Sequence, residues 1–281
     1  MTAPLIVHPT DFGEASLAAF HHALRLSIAL GARLDILHVY ASRDEPDETV
    51  WHGFPGVRAT LVDWRLVAAD TQPEDIAPRL GIRVRKTQIA AADTAAAIAR
   101  YVDDHAAGWV VLATAGRDGV PGWLRPSLAG RVARAVSACT LFVPRQAHGF
   151  VDAVSGSVTL DRVLVPVDHR PRPEPALAVA VRLVEALGLP AATVDMLHVA
   201  DGHGDAPHVV PPETTKVTFL PTRAQGPVAD TIVSQAHRLG ARIVVMPTAG
   251  RHGLFEGLFG STTEQVVRHV DAPVLAVPAG A

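Results

Sequence analysis

Residues 247–267, PTAGRHGLFEGLFGSTTEQVV, place Gly250, Gly253, Gly257 and Gly260 ahead of a Ser261-Thr262-Thr263 run, between an apolar strand and a helix. That spacing offers phosphate chemistry. Glycine takes positive φ and lets a ligand approach bare backbone amides, and the free amides and positive dipole end of the following helix favour an anion. Ser261-x-x-Glu264 is equally a capping box, which stabilises a helix start with no ligand present. On the loop alone the two uses stay open. It has no Gly-Lys-Ser/Thr ending, and the first strand of each half runs into HPTDFGEAS or PVDHRPRPEP without Gly-x-Gly-x-x-Gly. Both the P-loop and the dinucleotide fingerprint are therefore excluded.

Other chemistries find less support. Of fourteen histidines, His203 and His208 share a loop and His21 and His22 are adjacent. Adjacent helical residues point about 100° apart and are poorly placed to share a metal, and no carboxylate–histidine spacing matches a zinc motif. No metal is expected. His38 and His198 occupy equivalent places in repeated strands and read as satisfied core histidines. There is no Gly-x-Ser-x-Gly elbow and no Ser/His/Asp set that spacing can assemble, so no catalytic residues are assigned and the chain is not expected to be an enzyme. Arg117 and Arg251 read as solvated loop charges, and Cys139, inside VSACTLFVP, as inert packing.

The elements that must position the loop are written twice. LIVHPTD (5–11) corresponds to VLVPVDH (163–169), LDILHVY (34–40) to VDMLHVA (194–200), VVLATAGRDG (110–119) to VVMPTAGRHG (244–253), and CTLFVPR (139–145) to PVLAVPA (273–279). Four matches in one order indicate a duplicated domain, 1–148 and 158–281, with the linker near 148–157. The first half is about 26 residues longer between its second and fourth strands, which predicts one more helix within 57–81. The second half carries loop there, DGHGDAPHVVPPETT. Short apolar runs such as 243–246 alternate with helical patterns that end at Gly31 and Gly240. That order predicts two α/β domains, each a doubly wound sheet of about five parallel strands, with ligands bound outside the strands' carboxyl ends.

Composition fits. A length of 281 residues suits two domains, and 48% hydrophobic content is ample for two cores. The formal charge of −3, with scattered Lys and Arg, gives no footprint for nucleic acid. No apolar run approaches a membrane span, and the start lacks the pattern of a signal peptide. A single cysteine suits a reducing compartment, so a cytoplasmic protein without membrane partners is expected.

Taken together, PTDF after the first strand, LHV ending the second, and Gly250-x9-Gly260-Ser261 after the fourth resemble the universal stress protein family, as two such domains in tandem. The family pattern is Gly-x2-Gly-x9-Gly-Ser/Thr, and Pro247 replaces its leading glycine. The resemblance implies an adenine nucleotide alpha hydrolase-like fold in a pseudo-two-fold arrangement, with the last strands, TLFVP and VLAVP, paired across the axis. Whether the tandem chain also forms a homodimer is left open. The family contains both ATP binders and members that bind no nucleotide. In the ATP binders the resemblance implies that Pro166, Val167, Asp168 and Val199 hold adenosine. Met246 lies against it, and Gly250, Gly260, Ser261, Thr262 and Thr263 hold the phosphates, with Mg²⁺ as the accompanying ion. A carboxylate such as Asp168 accepts from ribose hydroxyls or an adenine amine, and serves equally as a turn or N-cap residue. The first half keeps Pro9, Thr10, Asp11, Val39, Gly116 and Ser127, but Pro126 stands at the closing glycine and Gly130 at the capping acid. Proline has no amide to donate and cannot take positive φ. Nucleotide is therefore expected mainly in the second half, with a weak or absent site in the first. An ATP-binding stress-response regulator is one expectation, acting on an unidentified protein partner; a nucleotide-free interaction scaffold is the other.

Overall fold

The computed structural model describes residues 4–41, 51, 53–114, 127–145, 149–200, 206–249 and 261–280. The first repeat runs β1 (Leu5–Pro9), α1 (Glu14–Leu30), β2 (Arg33–Tyr40), α2 (Val57–Asp63), α3 (Pro73–Leu80), β3 (Arg83–Ala90), α4 (Thr94–Asp104), β4 (Trp109–Thr114), α5 (Leu128–Ala135) and β5 (Cys139–Pro144). The second runs β6 (Arg162–Pro166), α6 (Glu174–Ala186), β7 (Ala192–Ala200), β8 (Val217–Gln225), α7 (Val228–Leu239), β9 (Ile243–Thr248), α8 (Ser261–His269) and β10 (Val274–Pro278). The expected glycine stops are present. Gly31 and Gly240 have φ of 57° and 64°, and the amides after them return to carbonyls of the last turn.

The ten strands among the described residues form one sheet in the order β3-β2-β1-β4-β5-β10-β9-β6-β7-β8. Every pairing within a repeat is parallel, and β5 meets β10 antiparallel, with Leu141 opposite Leu275. Thr140 pairs with Val110 as Val274 pairs with Val244, so Leu141 and Leu275 are equivalent residues facing each other. The pseudo-two-fold axis passes between them, as the resemblance implied. Central strands are apolar on both faces because helices cover both. One core layer holds Phe20 and Leu24 of α1 with Leu177 and Val184 of α6; the other holds Ile98 of α4, Val132 of α5, Ile232 of α7 and Val266 of α8.

The inserted segment of the first repeat departs from expectation. It forms two short helices instead of one. Arg65, at φ 57°, ends the first stretch, and Pro73 at the first turn of α3 starts the next, where its missing amide is not needed. Among the described residues of the replacement segment, 206–214 is irregular, as its prolines predict. Residues 149–157, between the repeats, lead into an isolated bridge, Val151 to Val158, before β6. No helix among the described residues is long and apolar enough to cross a membrane.

Candidate functional site

At the carboxyl ends of β6, β7 and β9 the sheet opens into a cavity of about 320 Å³. Its floor is Leu197, Val199 and Met246; α7 supplies Val228 and Ile232, and α8 supplies Thr262 and Thr263. Pro166, Val167 and Asp168 line it from the end of β6. The β6 end is fixed from the backbone: the amide of Val167 donates to the Leu197 carbonyl at 2.8 Å, and His198 Nδ1 lies 3.3 Å from the Val167 carbonyl oxygen. Asp168 is exposed, and among the described residues its Oδ1 accepts from the amide of His169, at 2.7 Å. Its carboxylate is left largely open to a ligand.

Seven residues singled out from sequence therefore line one cavity: Pro166, Val167, Asp168, Val199, Met246, Thr262 and Thr263. Ser261 opens α8, is exposed and is not on the cavity wall. Gly250 and Gly260, together with Arg251, lie outside the described residues. No capping-box hydrogen bond joins Ser261 and Glu264 among the described residues. Glu264 turns both oxygens to arginines, Oε1 to Arg268 at 3.1 Å and Oε2 to Arg134 of α5 at 3.4 Å. Two guanidinium partners give it better charge compensation than a single amide.

The first repeat has the same strand ends with different chemistry. Thr10 and His38 reproduce the backbone arrangement: the Thr10 amide donates to Leu37 at 2.9 Å, and His38 Nδ1 donates to the Thr10 carbonyl at 2.9 Å. Thr10 is buried and Pro9 and Val39 are half-buried. Asp11, however, has one oxygen engaged locally by two donors. Its Oδ1 accepts from Ser16 Oγ at 2.6 Å and from the Gly13 amide at 2.9 Å. Partial burial opposes ionisation, yet these hydrogen bonds outweigh it and hold the carboxyl below its usual pKa. Ser127 caps α5 by accepting from the Gly130 amide at 3.1 Å, so the capping residue works without the capping acid. Leu128 and Ala129 follow where the second repeat has Thr262 and Thr263. Arg131 of α5 meets Asp93, the cap of α4, at 2.6 Å. Gly116 and Pro126 lie outside the described residues, as does Arg117.

Sequence reasoning missed part of the wall. Arg170 and Pro171, between β6 and α6, line the cavity, as do Ile232 and Val228. The former pair carries no sequence signal beyond its place in the loop after β6. The helical period of α7 marked Ile232 as inward-facing without saying onto what. Among the described residues no group of three His, Cys, Asp or Glu side chains is placed to hold a metal. Cys139 opens β5 at 5% exposure, and burial pushes its thiol up to about 11, which leaves it protonated and unreactive.

A family model described as the Universal stress protein family matches residues 5–144 and 216–278. The unmatched stretch, 145–215, contains Asp168 and Val199, and its strands complete the second half of the sheet. A solved universal stress protein from Archaeoglobus fulgidus superposes with a TM-score of 0.65 at 16% identity, covering 100% of each chain. A functionally unknown protein from Pseudomonas aeruginosa gives 0.60 at 16% identity, covering 98% of this chain and 92% of its own. At that identity the likeness is one of fold. No curated protein matches the chain.

Proposed function

The chain belongs to the universal stress protein family, and we propose that it binds an adenine nucleotide in the cavity of its second repeat, as a stress-response regulator. One observation carries this reading: a single cavity combines an apolar floor, an uncommitted carboxylate and the first turn of a helix bearing two hydroxyls. Met246, Val199 and Ile232 suit the face of a base; Asp168 can accept from ribose hydroxyls or an exocyclic amine. Thr262 and Thr263 stand at the positive end of α8, where phosphate oxygens are favoured. ATP with Mg²⁺ is the ligand this chemistry fits first. The role proposed is binding that signals to a protein partner.

The first repeat is proposed to bind weakly or not at all, because Asp11 Oδ1 already accepts from Ser16 and Gly13 and because Leu128 and Ala129 offer no hydroxyls. Calorimetric titration of the full chain with ATP and Mg²⁺ tests both parts. The expected stoichiometry is near one per chain, with Asp168→Ala weakening binding by about tenfold or more and Asp11→Ala leaving it within about twofold. No heat and no thermal shift would favour a nucleotide-free scaffold. Two equivalents per chain would refute the asymmetry.

A further inference from the structure

We infer that Arg170 makes the second-repeat cavity selective for a phosphorylated ligand over an uncharged one; the inference rests on the nucleotide reading of that cavity. The connection from β1 to α1 spans only residues 10–13, whereas that from β6 to α6 spans 167–173. The longer loop brings Arg170 and Pro171 to the cavity that Asp168 also lines. The other arginine of the loop is used elsewhere, since Arg172 pairs with Glu174 at 3.4 Å. Arg170 is exposed and makes no hydrogen bond or ion pair among the described residues.

Electrostatics makes this position consequential. Asp168 and Arg170 are the only charged side chains among the described residues that line the cavity. An ionised carboxylate accepts hydrogen bonds and repels phosphate, so Asp168 works against the phosphorylated ligand that the positive end of α8 favours. Thr262 and Thr263 add donors without charge. Pro247, which lines the cavity, has no amide to give. The planar guanidinium of Arg170 can offset the carboxylate and meet two phosphate oxygens at once, which a nucleoside cannot reward. Because the side chain is exposed, its contribution is screened by salt.

The test compares ATP with Mg²⁺ against adenosine by calorimetry, on the full-length parent, Arg170→Ala and Arg170→Lys, at low and high salt. Arg170→Ala should weaken ATP by about tenfold at low salt and less at high salt, while adenosine changes by less than about twofold. Arg170→Lys should recover part of the loss, since it keeps the charge without the fork. Unchanged ATP affinity in Arg170→Ala, or an equal loss for adenosine, would overturn the assignment. If the parent binds neither ligand, the nucleotide reading itself falls.

Discussion

His8 and His22 are buried imidazoles, each using one nitrogen. His8 Nδ1 lies 3.0 Å from the Val111 carbonyl oxygen, and His22 Nδ1 lies 2.8 Å from that of Ala18. A carbonyl only accepts, so Nδ1 carries the hydrogen and Nε2 is left as a bare lone pair; both Nε2 atoms are buried without a partner. Protonation would add an N–H with nothing to receive it. Burial therefore lowers both pKa values to about 4. The folded chain then refuses protons that the unfolded chain accepts, and stability falls as pH drops from about 6.5 toward 4. The steepest loss is about 1 kcal/mol per pH unit for each histidine. Urea unfolding at pH 7.5 and pH 5.0 should show this decline, and His22→Phe should remove part of the slope, with His8 and His21, whose pKa burial also lowers, keeping the rest. Equal stability at the two pH values would contradict it.

Between the repeats, the strap of residues 149–157 is held by fit as much as by hydrogen bonds. Phe150 meets the His22 ring edge-on at 4.6 Å, and Trp64 Nε1 donates to the Ala153 carbonyl at 3.1 Å. Gly156 has φ 65°, and a Cβ there would lie 2.3 Å from the Trp64 ring. Gly188 has a similar φ of 69° with nothing within 4 Å. The pair separates backbone strain from collision. Gly188→Ala should cost about 1 kcal/mol, the strain alone, while Gly156→Ala should cost about 2–4 kcal/mol, because the rigid indole must also move. Equal losses in thermal unfolding would mean that the strap yields freely. Local pattern announced the strands, the glycine stops and the order of elements, since each depends on neighbours in the chain. It did not announce Arg170, whose place on the cavity follows from a loop meeting two distant strands. Nor did it show that Asp11 accepts from both Ser16 and the Gly13 amide, while Asp168 accepts from the His169 amide: Ser16 makes the difference. Glu264 fitted a capping box by spacing, but Arg134 arrives from the other repeat.

Across the whole molecule, the duplicated halves share more than a seam. Leu141, Phe142, Val274 and Leu275 are at most 1% exposed where β5 meets β10. Each of the two core layers contains side chains from both repeats, so apolar contact runs unbroken from one half to the other on both faces of the sheet. The ion pair from Arg134 to Glu264 adds little, being partly exposed and 3.4 Å long. Hydrophobic continuity decides the behaviour: neither half can unfold without stripping apolar surface from the other. Interfaces that are large and apolar hold domains together, whereas small polar ones let them move separately. The chain should therefore unfold in one calorimetric transition whose van't Hoff and calorimetric enthalpies agree, although duplication alone would suggest two. Phe142→Ala, deleting a fully buried ring at the junction, should destabilise by about 3–5 kcal/mol. It should shift that single transition as a whole. Two resolved transitions in the parent, or a variant in which one half melts at its original temperature, would show that the repeats are thermodynamically separate.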